Sequence, residues 1–137
     1  MRQVPGYPLW VGHVGDLRDL RAVCSAGIAA VVDLALKEAP AVVPRDLVYC
    51  RFPLLDGSGN APWVLRAAVQ AVASLLQAGV PALVFCGAGM SRSVCVAAAA
   101  IARVRGCPLA EALQLVARAG PADVSPGFLA ELKAAED

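Results

Sequence analysis

"LVFCGAGMSRSV", residues 83–94, carries an apolar run into a loop of small residues, with Cys86 at the seam and Arg92 at the far end. The run over 81–85 reads as a buried strand, and the stretch from 92 to about 104 as a helix. Between them the residues are nearly all small, so backbone amides rather than side chains line the inside of the turn. A strand, a tight glycine-containing loop and a helix form the kind of junction at which α/β sheets gather ligands.

Strand and helix signals alternate on either side. "PLWVG" (8–12), "IAAVVDL" (28–34) and "LVYCRFPL" (47–54) read as strands, the last after a loop containing Pro40 and Pro44. "GDLRDLRAVCSAG" reads as a helix with Asp16 as N-cap, Asp19 in its first turn and Gly27 as its stop. "DGSGN" (56–60) is a turn, and Pro62 suits the first turn of a helix running to about Gln77, ended by Gly79. Helices are expected over 108–119 and 126–135, the second capped by Ser125. Near-continuous apolar strands separated by helices predict an α/β fold. The expectation is a single domain over 1–137, in three α/β/α layers, with a mostly parallel central sheet of about four or five strands.

Composition sets the bounds. The chain has 137 residues, 58% hydrophobic and 17% charged, and a net charge of +1. That is enough for one sizeable core, and it leaves no basic surplus with which to neutralise nucleic-acid phosphates or an acidic lipid surface. Residues 67–91 carry no formal charge, but Gly79 and Pro81 divide them into a helix and a strand rather than a membrane span. The N-terminal stretch lacks the apolar region of a signal peptide. Five cysteines (24, 50, 86, 95 and 107) lack paired zinc-site spacing, and their number is odd. Reduced thiols in a cytoplasmic monomer, with no metal or other cofactor, are the expectation.

The loop's chemistry follows from its residues. If the backbone from Gly87 to Arg92 curls with its N–H groups inward, the amides of Gly87, Ala88, Gly89, Met90 and Ser91 and the helix N-terminus form a nest for a tetrahedral oxyanion. The two glycines are expected to supply backbone conformations closed to other residues. Arg92 adds a bidentate clamp on two oxygens, and Cys86 lies beneath the anion, in line for attack on phosphorus. The same positive potential favours the thiolate, so one arrangement binds the anion and activates the nucleophile. Asp33 and Asp56 also stand at strand ends. Asp33 is the reserve candidate for an acid but reads first as a strand-end hydrogen-bonding residue, and His13 reads as structural, beside the Gly12–Gly15 connection.

Cys86-Gly-Ala-Gly-Met-Ser-Arg92-Ser93 resembles the CxxGxxR[ST] signature of cysteine-dependent protein tyrosine phosphatases, and its "GxSRS" ending the dual-specificity branch. The resemblance extends through "LWVGHVGDLRDLRAVCSAGIAAVVDLA", "LVYCRFPLLDGSGN" and "VSPGFLAEL". It implies a phosphomonoester hydrolase working through a phosphocysteine intermediate. Asp56, 30 residues upstream of Cys86, matches the family's acid, which protonates the leaving oxygen and then activates water. Ser93 matches the hydroxyl that stabilises the departing thiolate. Two positions depart from the family's pattern: Phe85 stands where a histidine usually precedes the cysteine, and the "AYLM" stretch reads "AAIA" at 99–102.

Two other readings share parts of this pattern. A rhodanese-like sulfurtransferase also uses a cysteine on an anion-cradling loop, but the five-residue spacer, Ser93 and the upstream acid argue against it. A phosphopeptide-binding pseudophosphatase is raised only by Phe85. Neutral Ala88 and Met90 favour phosphoprotein substrates, phosphotyrosine before phosphoserine or phosphothreonine, over inositol polyphosphates. Either Cys50 or Cys95 is a candidate to trap an oxidised Cys86 as a disulfide.

Overall fold

The computed structural model describes residues 1–136. A five-stranded sheet is built from β1 (Arg2–Gln3), β2 (Leu9–His13), β3 (Ala30–Asp33), β4 (Val48–Arg51) and β5 (Ala82–Cys86). Their spatial order is β1-β2-β5-β3-β4. Four strands are parallel, as the apolar runs require, and β5 sits between β2 and β3. The short β1 pairs antiparallel with β2 and makes the sheet mixed. Two residues, Arg2 and Gln3, carry no pattern from which that edge strand can be read.

Five α-helices complete the domain: α1 (Leu20–Ser25), α2 (Pro62–Gln77), α3 (Arg92–Arg105), α4 (Leu109–Ala117) and α5 (Pro126–Glu136). Helices α2 to α5 cover one face of the sheet, where Val32, Val84 and Cys86 join the larger core. On the other face α1 and a 3₁₀ turn (Val14–Arg18) pack over Val31, Leu83 and Phe85. The helices thus flank the sheet as three layers. Helix α3 is buried on every side from Ser93 to Ile101, which accounts for its run of alanines: small side chains let the sheet, α2 and α4 all approach it. Among the described residues no helix is long and apolar enough to cross a membrane.

The expected helix after Gly15 divides in two. His13 and Asp16 form a capping box that closes the 3₁₀ turn, so Asp16 is its third residue and not a helix N-cap. Asp19 caps α1 instead, accepting from the Ala22 N–H at 3.1 Å. Both aspartates fit an N-cap pattern in sequence, and the non-helical backbone of Asp19 (φ −107°, ψ 74°) divides them. Gly27 and Gly79 end α1 and α2 at φ +79° and +70°, as expected of left-handed C-terminal positions.

Candidate active site

Strand β5 delivers Cys86 to the carboxyl end of the sheet, and α3 begins six residues later at Arg92. Cys86 is buried, 2% exposed. Its Sγ accepts from the Gly89 N–H at 3.2 Å and lies 3.3 Å from Ser93 Oγ. The loop therefore turns at least one amide onto the sulfur, and the first turn of α3 adds a hydroxyl. The two glycines act for different reasons. Gly89 has φ +74°, and a β-carbon there would stand 2.7 Å from the Gly12 carbonyl oxygen on β2. Gly87 does not have a positive φ, contrary to the expectation that both glycines need one. What it supplies is space: a β-carbon there would lie 3.1 Å from Arg92 Nη2 and 3.3 Å from Glu38 Oε1.

Arg92 is held by carbonyls just beyond two strand ends. Its Nη1 donates to Leu54 O at 2.8 Å and to Leu34 O at 3.4 Å. Its Nε is buried and has no partner among the described residues. Arg92 lines a cleft of about 240 Å³ with Asp56, Cys86, Ala88, Met90, Ser91 and Asp123. It also lines an adjoining cleft of about 390 Å³ between Leu36–Glu38 and Leu54–Ser58.

Asp56 reaches the same cleft through Ser91. The Ser91 hydroxyl donates to Asp56 Oδ1 at 2.7 Å and accepts from the Ser125 N–H at 3.0 Å. Glu131 of α5 braces the turn that carries Asp56, accepting from the Gly59 N–H at 2.8 Å and the Asn60 N–H at 2.7 Å. These donors, Gly59 foremost, hold the Glu131 carboxyl below the usual carboxylate range. An acid on a glycine-rich turn is thereby kept beside the cradle.

Asp33 lies elsewhere. It is paired across the sheet with Phe85, on the face opposite Cys86, and is 2% exposed. It accepts from the Ala35 N–H at 2.9 Å and from the Tyr49 hydroxyl, with the Arg51 guanidinium 3.8 Å away. Burial first, and then the bond to Asp33, raises the Tyr49 phenol above its ordinary value. His13 is structural, as expected; its role is to cap the 3₁₀ turn, its Nδ1 accepting from the Gly15 N–H at 3.0 Å. Cys95 is buried under the site in α3; desolvation, aided by the negative charges of Asp56 and Cys86, pushes its thiol up to about 12. All five cysteines are free.

Several residues at the site carry no sequence signal of their own. Asp123 adds a second carboxylate to the cleft, and its N–H donates to Met90 O at 2.9 Å. Ser91, expected only to stay out of the way, links the acid turn to the loop. Arg2 crosses to the loop from the edge strand. Each contact joins segments far apart in the chain.

Comparison with known proteins agrees with this geometry. The family model described as "Dual specificity phosphatase, catalytic domain" matches residues 9–137. Dual specificity protein phosphatase 1B of Arabidopsis thaliana is 30% identical over 91% of this chain and 75% of its own length. Dual specificity phosphatase 28 of Homo sapiens is 32% identical over 82% of this chain and 64% of its own length. The crystal structure of human DUSP28 superposes with a TM-score of 0.86 at 28% identity, covering 99% of this chain and 95% of that one. The family model spans nearly the whole chain: the chain belongs to the dual specificity phosphatase family and is a cysteine-dependent protein phosphatase.

Proposed function

We propose that the protein hydrolyses phosphomonoesters on proteins through a phosphocysteine formed at Cys86, with phosphotyrosine as the preferred substrate. The observation that carries this reading is the position of Cys86 Sγ, 3.2 Å from the Gly89 N–H and 3.3 Å from Ser93 Oγ at a cleft lined by Arg92 and Asp56. In the first step the sulfur attacks phosphorus while the loop amides and Arg92 hold the equatorial oxygens. The P–O bond to the leaving group breaks, and protonated Asp56 gives its proton to that oxygen. In the second step the Asp56 carboxylate takes a proton from water, water attacks phosphorus, and the P–S bond breaks. The thiolate leaves with the Ser93 hydroxyl and the Gly89 N–H as donors to sulfur.

The surroundings of the cleft support the substrate class. Ala88 and Met90 are neutral, Asp56 and Asp123 line the cleft, and Glu38 stands beside Gly87 at its border with the adjoining one. Lys37 is the only basic side chain besides Arg92 among those lining the two clefts. Carboxylates around a phosphate cradle repel polyanions such as inositol polyphosphates more strongly than a single phosphomonoester. An aryl oxide is also an easier leaving group than an alkoxide, which favours phosphotyrosine. Family membership leaves the sulfurtransferase reading without support.

The test is a panel of phosphotyrosine, phosphoserine and phosphothreonine peptides, nucleotides and phosphoinositides, assayed with wild type beside Cys86→Ser. Phosphotyrosine peptides should show the highest kcat/KM, and Cys86→Ser should be inactive on every substrate. Preferential turnover of phosphoinositides would overturn the assignment.

A further inference from the structure

We infer that Arg2, on the edge strand and outside the signature loop, is a positioning residue that aims the loop's amides at the phosphoryl group. Arg2 Nη2 donates to Gly89 O at 2.8 Å and to Pro121 O at 3.3 Å. Among the described residues it is the only side chain that donates to a carbonyl of residues 87–91. Its Nε is buried and has no partner there.

The geometry of the peptide group gives the contact its consequence. A trans peptide directs its C=O and N–H to opposite sides. The Gly89 carbonyl, bonded to Arg2, therefore turns the Met90 N–H away from Arg2, and Met90 lines the cleft whereas Arg2 does not. The next peptide is held in the same manner, with Met90 O accepting from the Asp123 N–H at 2.9 Å, which turns the Ser91 N–H. Glycine at 89 could rotate its flanking peptides more freely than any other residue. The Arg2 bond removes that freedom on the carbonyl side of Gly89, whose N–H is already held by Cys86 Sγ. β1 places the guanidinium there by pairing Arg2 with Val11 on β2, the strand against which Gly89 packs.

Gly120 offers an independent handle. A β-carbon at 120 would collide with Cδ and Nε of Arg2. Gly120→Ala should displace the guanidinium without removing its charge, and so reproduce the loss of Arg2 by another route.

The inference rests on the phosphatase reading, and orthovanadate separates the two because its binding needs the cradle but not turnover. Arg2→Ala, Arg2→Lys, Gly120→Ala and the Arg2→Ala/Gly120→Ala double variant would be compared with wild type. For each, the vanadate dissociation constant is measured by titration calorimetry, and kcat on p-nitrophenyl phosphate is expressed per site titrated with iodoacetate. Arg2→Ala should weaken vanadate and lower kcat by about tenfold, as expected for misaimed donors to developing charge. Arg2→Lys, which keeps the charge and one bond, should recover part of both. Gly120→Ala should match Arg2→Ala, and the double variant should lose no more than either alone. If Arg2→Ala is not recovered folded, Arg2→Lys and Gly120→Ala make the same comparison. Wild-type vanadate affinity and kcat per titrated site in these variants, with only the unfolding temperature lowered, would reduce Arg2 to a structural residue. Independent addition of the two effects would also overturn the inference. If wild type binds vanadate but turns nothing over, the hydrolase reading fails while vanadate binding still tests Arg2.

Discussion

Phe85 and Cys86 are neighbours in β5 whose side chains face opposite sides of the sheet. Cys86 joins the core beneath α2 to α5, and Phe85 packs with Val23, Ile28, Val31 and Leu83 on the α1 face. The aromatic ring in place of the family's usual histidine therefore lies across the sheet from the sulfur. Its principal role is packing: it is among the largest fully enclosed side chains of the protein.

Phe85→Ala should accordingly cost about 3–5 kcal/mol of stability, the usual range for emptying a buried aromatic site. Denaturant unfolding would measure this. Turnover per folded molecule should stay within about threefold of wild type, because no atom facing the cleft is changed. A large loss of kcat with unchanged stability would give Phe85 a direct role at the site.

The two carboxylates, Asp33 at the end of β3 and Asp56 on the turn that follows β4, should behave oppositely. Asp56→Ala should lower kcat by roughly 10²–10⁴-fold on substrates with poor leaving groups, and far less on activated aryl phosphates that need no proton. Asp33→Ala should leave this leaving-group dependence intact and lower stability instead, since it strips the Tyr49 hydroxyl and the Ala35 N–H of their acceptor. A plot of log kcat against leaving-group pKa for the two variants is the measurement. The steep line belonging to Asp33→Ala would reverse the assignment.

Much of this was legible in the sequence because local chemistry fixes it. The apolar run to Phe85, the small loop and the start of a helix at Arg92 could be read directly, as could the turn that presents Asp56. The division of the first helix could not, because Asp16 and Asp19 satisfy the same capping pattern and only the fold distinguishes them. The braces around the site were also hidden. Arg2 to Gly89, Asp123 to Met90 and Glu131 to Gly59 are tertiary contacts between segments that no short-range periodicity relates. Gly87 illustrates the intermediate case: the residue type was legible as necessary, but its reason is space rather than backbone dihedral.

The buried thiol of Cys95 predicts an alkaline limit to stability. Folding raises it from 9.0 to about 12. Below pH 9 the thiol is protonated in both states and contributes no pH dependence. Between 9 and about 12 the unfolded chain releases a proton that the folded chain keeps, so stability falls as pH rises across that window. The raised Tyr49 phenol adds to the fall. Cys95→Val, of similar size and without a titrating group, should flatten the decline in chemical denaturation measured from pH 8.5 to 11. An unchanged slope would mean that Cys95 ionises as readily folded as unfolded.

The central claim is that phosphorus passes through sulfur at Cys86. Its most direct test is intact-protein and peptide mass spectrometry of acid-quenched reactions with an activated aryl phosphate, comparing wild type, Ser93→Ala and Cys86→Ser. Ser93→Ala removes the hydroxyl that lies 3.3 Å from the sulfur and that the proposed mechanism makes a donor to the departing thiolate. It should therefore slow the second step, give burst kinetics and accumulate a phosphate adduct that maps to Cys86. Wild type should show the same adduct transiently, and Cys86→Ser should show neither adduct nor turnover. Turnover by Cys86→Ser at the wild-type rate, or steady turnover with no adduct on Cys86 in Ser93→Ala, would contradict the account.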